Sequence, residues 1–129
     1  MNVPEDCKHR NNFKKDCCRV ICDCTIIEHD GCVTNGGCDL VAYDSERFFL
    51  IEIKSGVIGK SDAKDIIRQI RSCRDYYRSL IGERRIIHLF LRCVKERKSR
   101  LEKYAREPLI RNRIRIEKCH GSFDLRSLD

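Results

Sequence analysis

Residues 38–56 read CDLVAYDSERFFLIEIKSG, and this stretch decides how the rest of the chain is interpreted. Two runs rich in β-branched and aromatic residues, 38–43 and 47–54, flank the short polar turn DSER and predict a β-hairpin. Because side chains alternate along a strand, Glu52 and Lys54 share one face of the second strand. Burying either charge without a partner would be unfavourable by several kcal/mol. The two charges on so apolar a strand therefore indicate a functional site.

Asp39 begins the first strand of the hairpin, and strand pairing can bring its carboxylate close to that of Glu52. Two carboxylates at close range repel each other unless a cation lies between them. Mg²⁺ accepts one or two carboxylates together with water molecules. Lys54 can then reach a metal-bound water or a scissile phosphate. These three side chains predict a site for Mg²⁺ or Mn²⁺.

The pattern of the whole chain predicts an α/β fold. The predicted elements are a short helix within 4–16, a strand at 19–27, a glycine-rich loop at 28–37, the hairpin, a helix from the caps Ser61 and Asp62 to near Gly82, a strand at 85–94, a charged helix at 95–107 stopped by Pro108, and a strand at 111–119. A hairpin followed by β-α-β units predicts a mixed β-sheet flanked by helices. The length fits one domain over 1–129, with a helical segment at 1–18 and a loose tail at 120–129.

The charge balance favours a polyanionic partner without proving one. The chain has 27 Lys and Arg against 20 Asp and Glu, a net charge of +7, which suits nucleic acid or an anionic membrane surface. A basic row at positions 64, 68, 71 and 78 is either the solvated face of the helix or a track for a phosphate backbone. No segment has the roughly 18 to 20 apolar residues that cross a bilayer, and the N-terminus lacks the apolar core of a secretory signal. We expect a cytoplasmic protein that does not enter the membrane.

Ten cysteines are unusual for such a chain, and seven of them lie within the first 38 residues. Buried thiols, disulfides and a metal site all remain open at this stage. No C-x₂-C pair is present, which disfavours zinc or an iron–sulfur cluster. Cys22 and Cys24 point to one face of a strand, which favours packing or a disulfide. Abundant Arg, Lys, Glu and Ile with a single Gln are typical of a thermophile, and hyperthermophilic archaea tolerate intracellular disulfides.

Asp39, followed thirteen residues later by Glu52-Ile53-Lys54, resembles the motif of the PD-(D/E)xK nuclease superfamily. The order of elements matches that superfamily over residues 5–119. Within it, an Asp-x-x-Ala strand followed by Glu-x-Lys-Ser is most similar to archaeal Holliday-junction resolvases. Two departures are present: Cys38 stands where the superfamily has Pro, and Cys73 stands where one branch has the Tyr of a Gln-x-x-x-Tyr motif. The resemblance implies a restriction-endonuclease-like fold.

The resemblance also implies a role for each matching residue. Asp39 and Glu52 would hold the metal with the backbone carbonyl of Ile53, and Lys54 would orient the attacking water. Many relatives add a Gln on the following helix, where Gln69 stands, and an acidic residue on the first helix. The candidates for that acidic residue are Glu5 and, as the alternative, Glu28. His88, on an apolar strand, is interpreted as a core histidine rather than a ligand.

The leading hypothesis is a Mg²⁺-dependent endodeoxyribonuclease acting in DNA recombination or repair, plausibly on branched DNA such as a Holliday junction. A resolvase would be a homodimer, because two strands must be cut symmetrically. One alternative is a non-catalytic DNA-binding domain of the same fold. Another is a cysteine-rich metal or redox protein.

Overall fold

A computed structural model describes residues 1–94 and 99–128. Its elements are, in chain order, a 3₁₀-helix Glu5–Cys7, β1 Lys8–Lys15, β2 Cys18–Glu28, β3 Leu40–Tyr43, β4 Arg47–Lys54, β5 Val57–Ile58, α1 Lys60–Tyr76, α2 Arg78–Ile81, β6 Arg85–Cys93, β7 Arg100–Leu101, α3 Lys103–Arg111, β8 Ile114–Cys119, β9 Ser122–Asp124 and a second 3₁₀-helix Leu125–Ser127.

Seven of the described strands form one mixed sheet in the order β1-β2-β3-β4-β6-β8, with β9 beside β2. Strands β1 to β4 are antiparallel, whereas β4, β6 and β8 are parallel. The predicted α/β class, with a hairpin, β-α-β units and helices packed on a mixed sheet, is confirmed. Asp44 closes the hairpin turn, because its Oδ1 accepts hydrogen bonds from the backbone N–H groups of Glu46 (2.8 Å) and Arg47 (2.7 Å).

The two faces of the sheet carry separate cores. On one face α1 packs its apolar stripe, which includes Ile66 and Ile70, against Phe48 and Leu50 of β4. On the other face lie the alternate residues of β4, such as Ile51. This alternation places every second side chain of β4 under the helix, and that face carries the predicted site. The N-cap of the helix is Gly59 rather than Ser61 or Asp62, and the Asp62 carboxylate accepts a hydrogen bond from the Gly59 N–H (2.8 Å).

The N-terminal hairpin β1–β2 bends back over the second face. A straight β2 would separate Cys18 from Glu28 by about 33 Å. Lys15 is the register partner of Cys18, yet its Nζ lies 3.8 Å from Glu28 Oε2 at the far end of β2. The register of the hairpin shifts at Asn11, whose φ is 70°, because three residues of β2, 22–24, lie opposite this one residue of β1. This β-bulge in β2 accompanies the bend.

Two terminal segments differ from the sequence prediction. The predicted helix within 4–16 is wrong, because after one 3₁₀ turn the chain pairs with β2 as an edge strand, where its residues other than Phe13 are polar and suit solvent. The predicted loose tail is also wrong. Beyond Gly121 the chain pairs with β2 as β9, and Leu125 and Leu128 are then buried against the second face.

The third helix also differs from its prediction. Of the predicted segment 95–107, residues 95–98 lie outside the described residues, and 100–101 form a short strand paired with β5. The helix α3 continues through Pro108 to Arg111. A proline removes only one backbone hydrogen bond of a helix, and buried Leu109 holds the following turn against the sheet.

All ten cysteines are paired in disulfides, namely Cys7–Cys32, Cys17–Cys93, Cys18–Cys119, Cys22–Cys24 and Cys38–Cys73. The alternative of disulfides, left open by the sequence, is therefore the one that the structure adopts. Two of these bridges fasten the tip of the bent hairpin to the carboxyl ends of β6 and β8. No thiol is left free to ligate a metal.

Candidate active site

Asp39 and Glu52 meet on the helix-covered face of the sheet. Leu40 and Ile51 are register partners that point to the opposite face. Asp39 precedes Leu40 and Glu52 follows Ile51, so both carboxyl groups point toward α1. The Asp39 N–H donates to Glu52 Oε1 (3.1 Å), and the Ile53 N–H donates to Asp39 Oδ2 (2.8 Å). Each carboxyl group is thus held by the other strand of the hairpin.

The two carboxyl groups are buried and share one negative charge. Asp39 is 9% exposed and Glu52 is 3% exposed. Burial raises the pKa of Glu52 to about 10, and a hydrogen bond to Asp39 and the charge of Asp39 add to this rise, while Lys54 opposes it. At neutral pH Glu52 is therefore protonated beside the Asp39 carboxylate. A pair of this kind can exchange its proton for a cation.

Lys54 lies on the same face as Glu52, at the end of β4, where it is half-buried. It belongs to a basic row across three neighbouring strands, because Lys54 pairs with Arg92 and Arg92 pairs with Lys118. Neighbouring strands lie about 4.8 Å apart. The row therefore places three cations side by side at the carboxyl ends of the parallel strands, next to the carboxyl pair.

Gln69 reaches the carboxyl pair from α1. With its side-chain amide turned so that its O and N atoms exchange places, both find complementary partners, and Nε2 donates to the Asp65 carbonyl (3.2 Å) and to Glu52 Oε2. The placement follows from helical spacing, because Gln69 lies three residues after Ile66 and four before Cys73, which are both buried. Four residues expected at one site, namely Asp39, Glu52, Lys54 and Gln69, thus lie on one face of the sheet.

A disulfide ties the carboxyl pair to α1. Cys38 directly precedes Asp39, and its partner Cys73 lies one helical turn beyond Gln69, with 5.8 Å between the Cα atoms. Both cysteines are fully buried. Nothing in the sequence pairs these two cysteines, although both stand at positions where the chain departs from the motif that it resembles.

His29 supports the site from the loop after β2, and nothing in the sequence around it predicts this role. Its backbone N–H donates to the Asp39 carbonyl (3.0 Å), and its Nδ1 lies 2.7 Å from the Tyr77 hydroxyl. Burial lowers the pKa of His29, although Asp30 opposes this shift. A neutral imidazole therefore fills the space beside Gly37, whose φ is 77° and where a Cβ atom would lie 2.7 Å from His29 Nε2.

The two candidates for an additional acidic residue do not join the pair. Glu5 is exposed and forms an ion pair with Lys8 (3.2 Å). Glu28 is the register partner of Leu40, so its side chain points to the opposite face from Asp39, where it lies near Lys15. Neither position has a described contact with Asp39 or Glu52.

Within residues 1–94 and 99–128, no three His, Cys, Asp or Glu side chains converge as a group that could hold a metal ion. No described helix has the length and apolar character needed to span a bilayer. Comparison with known proteins gives no match to a family model, to a curated protein or to a solved structure. The function must therefore be argued from the site itself.

Proposed function

We propose that this protein is a Mg²⁺- or Mn²⁺-dependent endodeoxyribonuclease of the PD-(D/E)xK superfamily with a restriction-endonuclease-like fold. The observation that carries the proposal is the buried pair Asp39–Glu52, held across one hairpin with Lys54 two residues further on. A core does not retain two carboxyl groups and a lysine for stability, because apolar residues would pack there at lower cost.

The donor set fits a hard divalent cation. Two carboxyl groups, the Ile53 carbonyl and water would satisfy Mg²⁺, which usually keeps several waters in proteins. Such an ion supplies Lewis-acid stabilisation of the phosphate and a more acidic bound water. Glu52 must lose its proton to bind the ion, and its hydrogen bonds to the Asp39 N–H and to Gln69 keep the carboxylate oriented as it does so.

Lys54 provides positive charge beside the reacting phosphate. Its position at the strand end, half-buried and next to Glu52, lets the ammonium donate to a phosphate oxygen or to the attacking water. Gln69 acts on Glu52 rather than on substrate, so it is a positioning residue. His29 and the Cys38–Cys73 bridge fix the backbone on either side of Asp39.

DNA is the proposed substrate. The net charge of +7 favours a polyanion, and the row formed by Lys54, Arg92 and Lys118 would follow a phosphate backbone next to the scissile bond. We further propose that the protein acts as a homodimer on branched DNA such as a four-way junction. Five disulfides fit a cytoplasmic location in a hyperthermophilic archaeon, where intracellular proteins keep such bridges.

The test is cleavage of a labelled four-way junction, a linear duplex and a single strand, each with Mg²⁺, Mn²⁺ or EDTA. Single-turnover rates with saturating protein separate cleavage from binding. We expect cutting only with metal, and a loss of roughly hundredfold or more in Lys54→Met. Lys118→Met, from the exposed end of the same basic row, is the matched control and should leave the cleavage rate of bound DNA unchanged. Absence of metal-dependent cutting on every substrate would refute the proposal.

A non-catalytic DNA-binding domain is the second candidate, and one observation favours it. Only two carboxyl groups converge among the described side chains, whereas Glu5 and Glu28 lie elsewhere. This candidate predicts salt-sensitive binding in EDTA with no cutting in Mn²⁺, and Lys54→Met would then change affinity alone.

A further inference from the structure

A polar cavity lies between α1, the end of α3 and strands β6 and β8. Its volume is about 180 Å³, and its polar lining is formed by Arg71, Arg74, His88, Arg111, Asn112 and Arg113. It shares no residue with the carboxyl pair.

The charge of this cavity is uncompensated within the part of the chain that the structure describes. Four arginines line it and no carboxylate does, and none of the four forms an ion pair with a described acidic residue. Other arginines of the same region are paired, as Arg68 is with Asp65 (3.0 Å) and Arg78 with Asp75 (3.1 Å). The four arginines are solvent-exposed, so their mutual repulsion is screened, and an anion between them would reduce it further.

The neutral groups of the cavity complete a site for an oxyanion. Asn112 accepts a hydrogen bond from Arg71 Nη2 (2.5 Å), which fixes that guanidinium at the cavity wall. His88 is half-buried, and burial together with Arg74 and Arg71 lowers its pKa, although the backbone of Arg113 opposes this. A neutral imidazole has one N–H, which the backbone of Arg113 engages, so the guanidinium groups are the donors that remain for a bound anion.

Arg113 takes an unusual backbone conformation in the turn after α3. Its φ is 58°, a region that side chains other than glycine rarely adopt. Glycine would relieve this conformation, yet the position holds an arginine that lines the cavity. Because this conformation is unfavourable for arginine, we infer that Arg113 is retained for the charge of its side chain.

We propose that this cavity binds one phosphate group. Guanidinium groups donate paired hydrogen bonds that match phosphate oxygens, and the volume admits a single phosphate rather than a whole nucleotide. The group can come from free inorganic phosphate or from a polynucleotide backbone. The inference does not depend on the proposed nuclease activity, because the cavity lies apart from Asp39 and Glu52.

The test is calorimetric titration with inorganic phosphate in EDTA, with chloride added to hold the ionic strength constant. The cavity variant combines Arg74→Gln with Arg113→Gly, and the glycine suits a φ of 58°. The matched control combines Arg78→Gln with Arg115→Gln, which removes two charges from exposed ion pairs outside the cavity. Unfolding curves establish that both variants are folded, and Arg74→Gln alone serves if the double variant is not.

We expect saturable binding of one phosphate by the parent protein, roughly tenfold weaker binding or worse in the cavity variant, and unchanged binding in the control. A duplex titrated in the same buffer distinguishes the sources. A backbone phosphate predicts that the cavity variant loses DNA affinity beyond the control, and free phosphate predicts equal DNA affinity in both. No saturable phosphate binding by the parent, or equal losses in the two variants, overturns the proposal. No readout involves cleavage, so failure of the nuclease proposal would leave this test intact.

Discussion

Glu52→Gln should make the metal-free protein more stable at neutral pH while abolishing its response to metal. Glu52 is protonated in the folded protein, with a pKa of about 10 against an ordinary value of 4.5. Glutamine closely mimics a protonated carboxyl group and has no proton to lose. The hydrogen bond with Gln69 can survive the substitution, because the Gln69 amide can turn to accept instead of donate.

The magnitude follows from the difference in pKa between the folded and unfolded chains. Because the folded pKa is raised, the contribution of Glu52 to stability is fully present below pH 4.5 and is lost as the pH rises toward 10. The pH of 7 lies 2.5 units above the ordinary pKa of 4.5. Ionisation of Glu52 therefore stabilises the unfolded chain by about 1.36 kcal/mol per unit, or roughly 3 kcal/mol in total. Glutamine escapes this loss, so the free energy of unfolding of Glu52→Gln should exceed that of the parent by up to roughly 3 kcal/mol.

The assay is urea unfolding of both proteins with disulfides intact, in EDTA, from pH 5 to pH 9. The titrating groups that do not contact Glu52 are common to the two proteins and cancel in their difference. That difference should grow by about 1.4 kcal/mol per pH unit.

Adding Mn²⁺ at pH 8 should stabilise the parent alone, because binding displaces the Glu52 proton. Glu117→Gln, in an exposed ion pair with Arg115, is the control and should change stability by less than about 1 kcal/mol. Parallel pH profiles for the parent and Glu52→Gln would refute the reasoning.

Three further predictions concern the support of the site, each measured by urea unfolding. Gly37→Ala should destabilise the protein by roughly 2–5 kcal/mol, because the new Cβ meets the His29 ring and the φ is positive. The control Gly36→Ala has open space around it and should lose only roughly 1–2 kcal/mol. Equal losses in the two variants would contradict the clash. Tyr77→Phe should lose roughly 1–3 kcal/mol, because it leaves the buried His29 Nδ1 without its partner; an unchanged free energy of unfolding would show that this hydrogen bond contributes nothing. Cys73→Ser opens a disulfide that spans 35 residues, and should lose about 4 kcal/mol of stability and weaken Mn²⁺ binding; unaltered Mn²⁺ affinity would mean that the bridge does not position the carboxyl pair.

The parts of the fold that the sequence predicts are those with a clear hydrophobic pattern. The hairpin 40–54 has two continuous apolar runs around a polar turn, and α1 repeats its apolar residues every three or four positions. The β1 strand carries no such pattern, since Phe13 is its only apolar residue, and its pairing depends on β2 rather than on its own sequence. The tail is short, and its burial depends on a surface that exists only after the hairpin has bent.

The sequence likewise predicts some features of the candidate site and not others. Alternation alone places Glu52 and Lys54 on one face, and helical spacing places Gln69 toward the sheet. The roles expected for Glu5 and Glu28 failed geometrically, because one residue stays in solvent and the other points to the far side of the sheet. Disulfide pairing could not be deduced at all, since ten cysteines allow on the order of a thousand combinations.

The tip of the bent hairpin has a consequence for how the protein matures. Cys17 and Cys18 are neighbours in the chain, and their partners Cys93 and Cys119 are themselves register partners on adjacent strands. Four sulfur atoms therefore assemble in one small region, where an attacking thiolate can swap one bridge for another with little backbone movement. A non-native disulfide that forms first among these four cysteines can therefore rearrange locally to the native pairing before the C-terminal tail packs on the sheet.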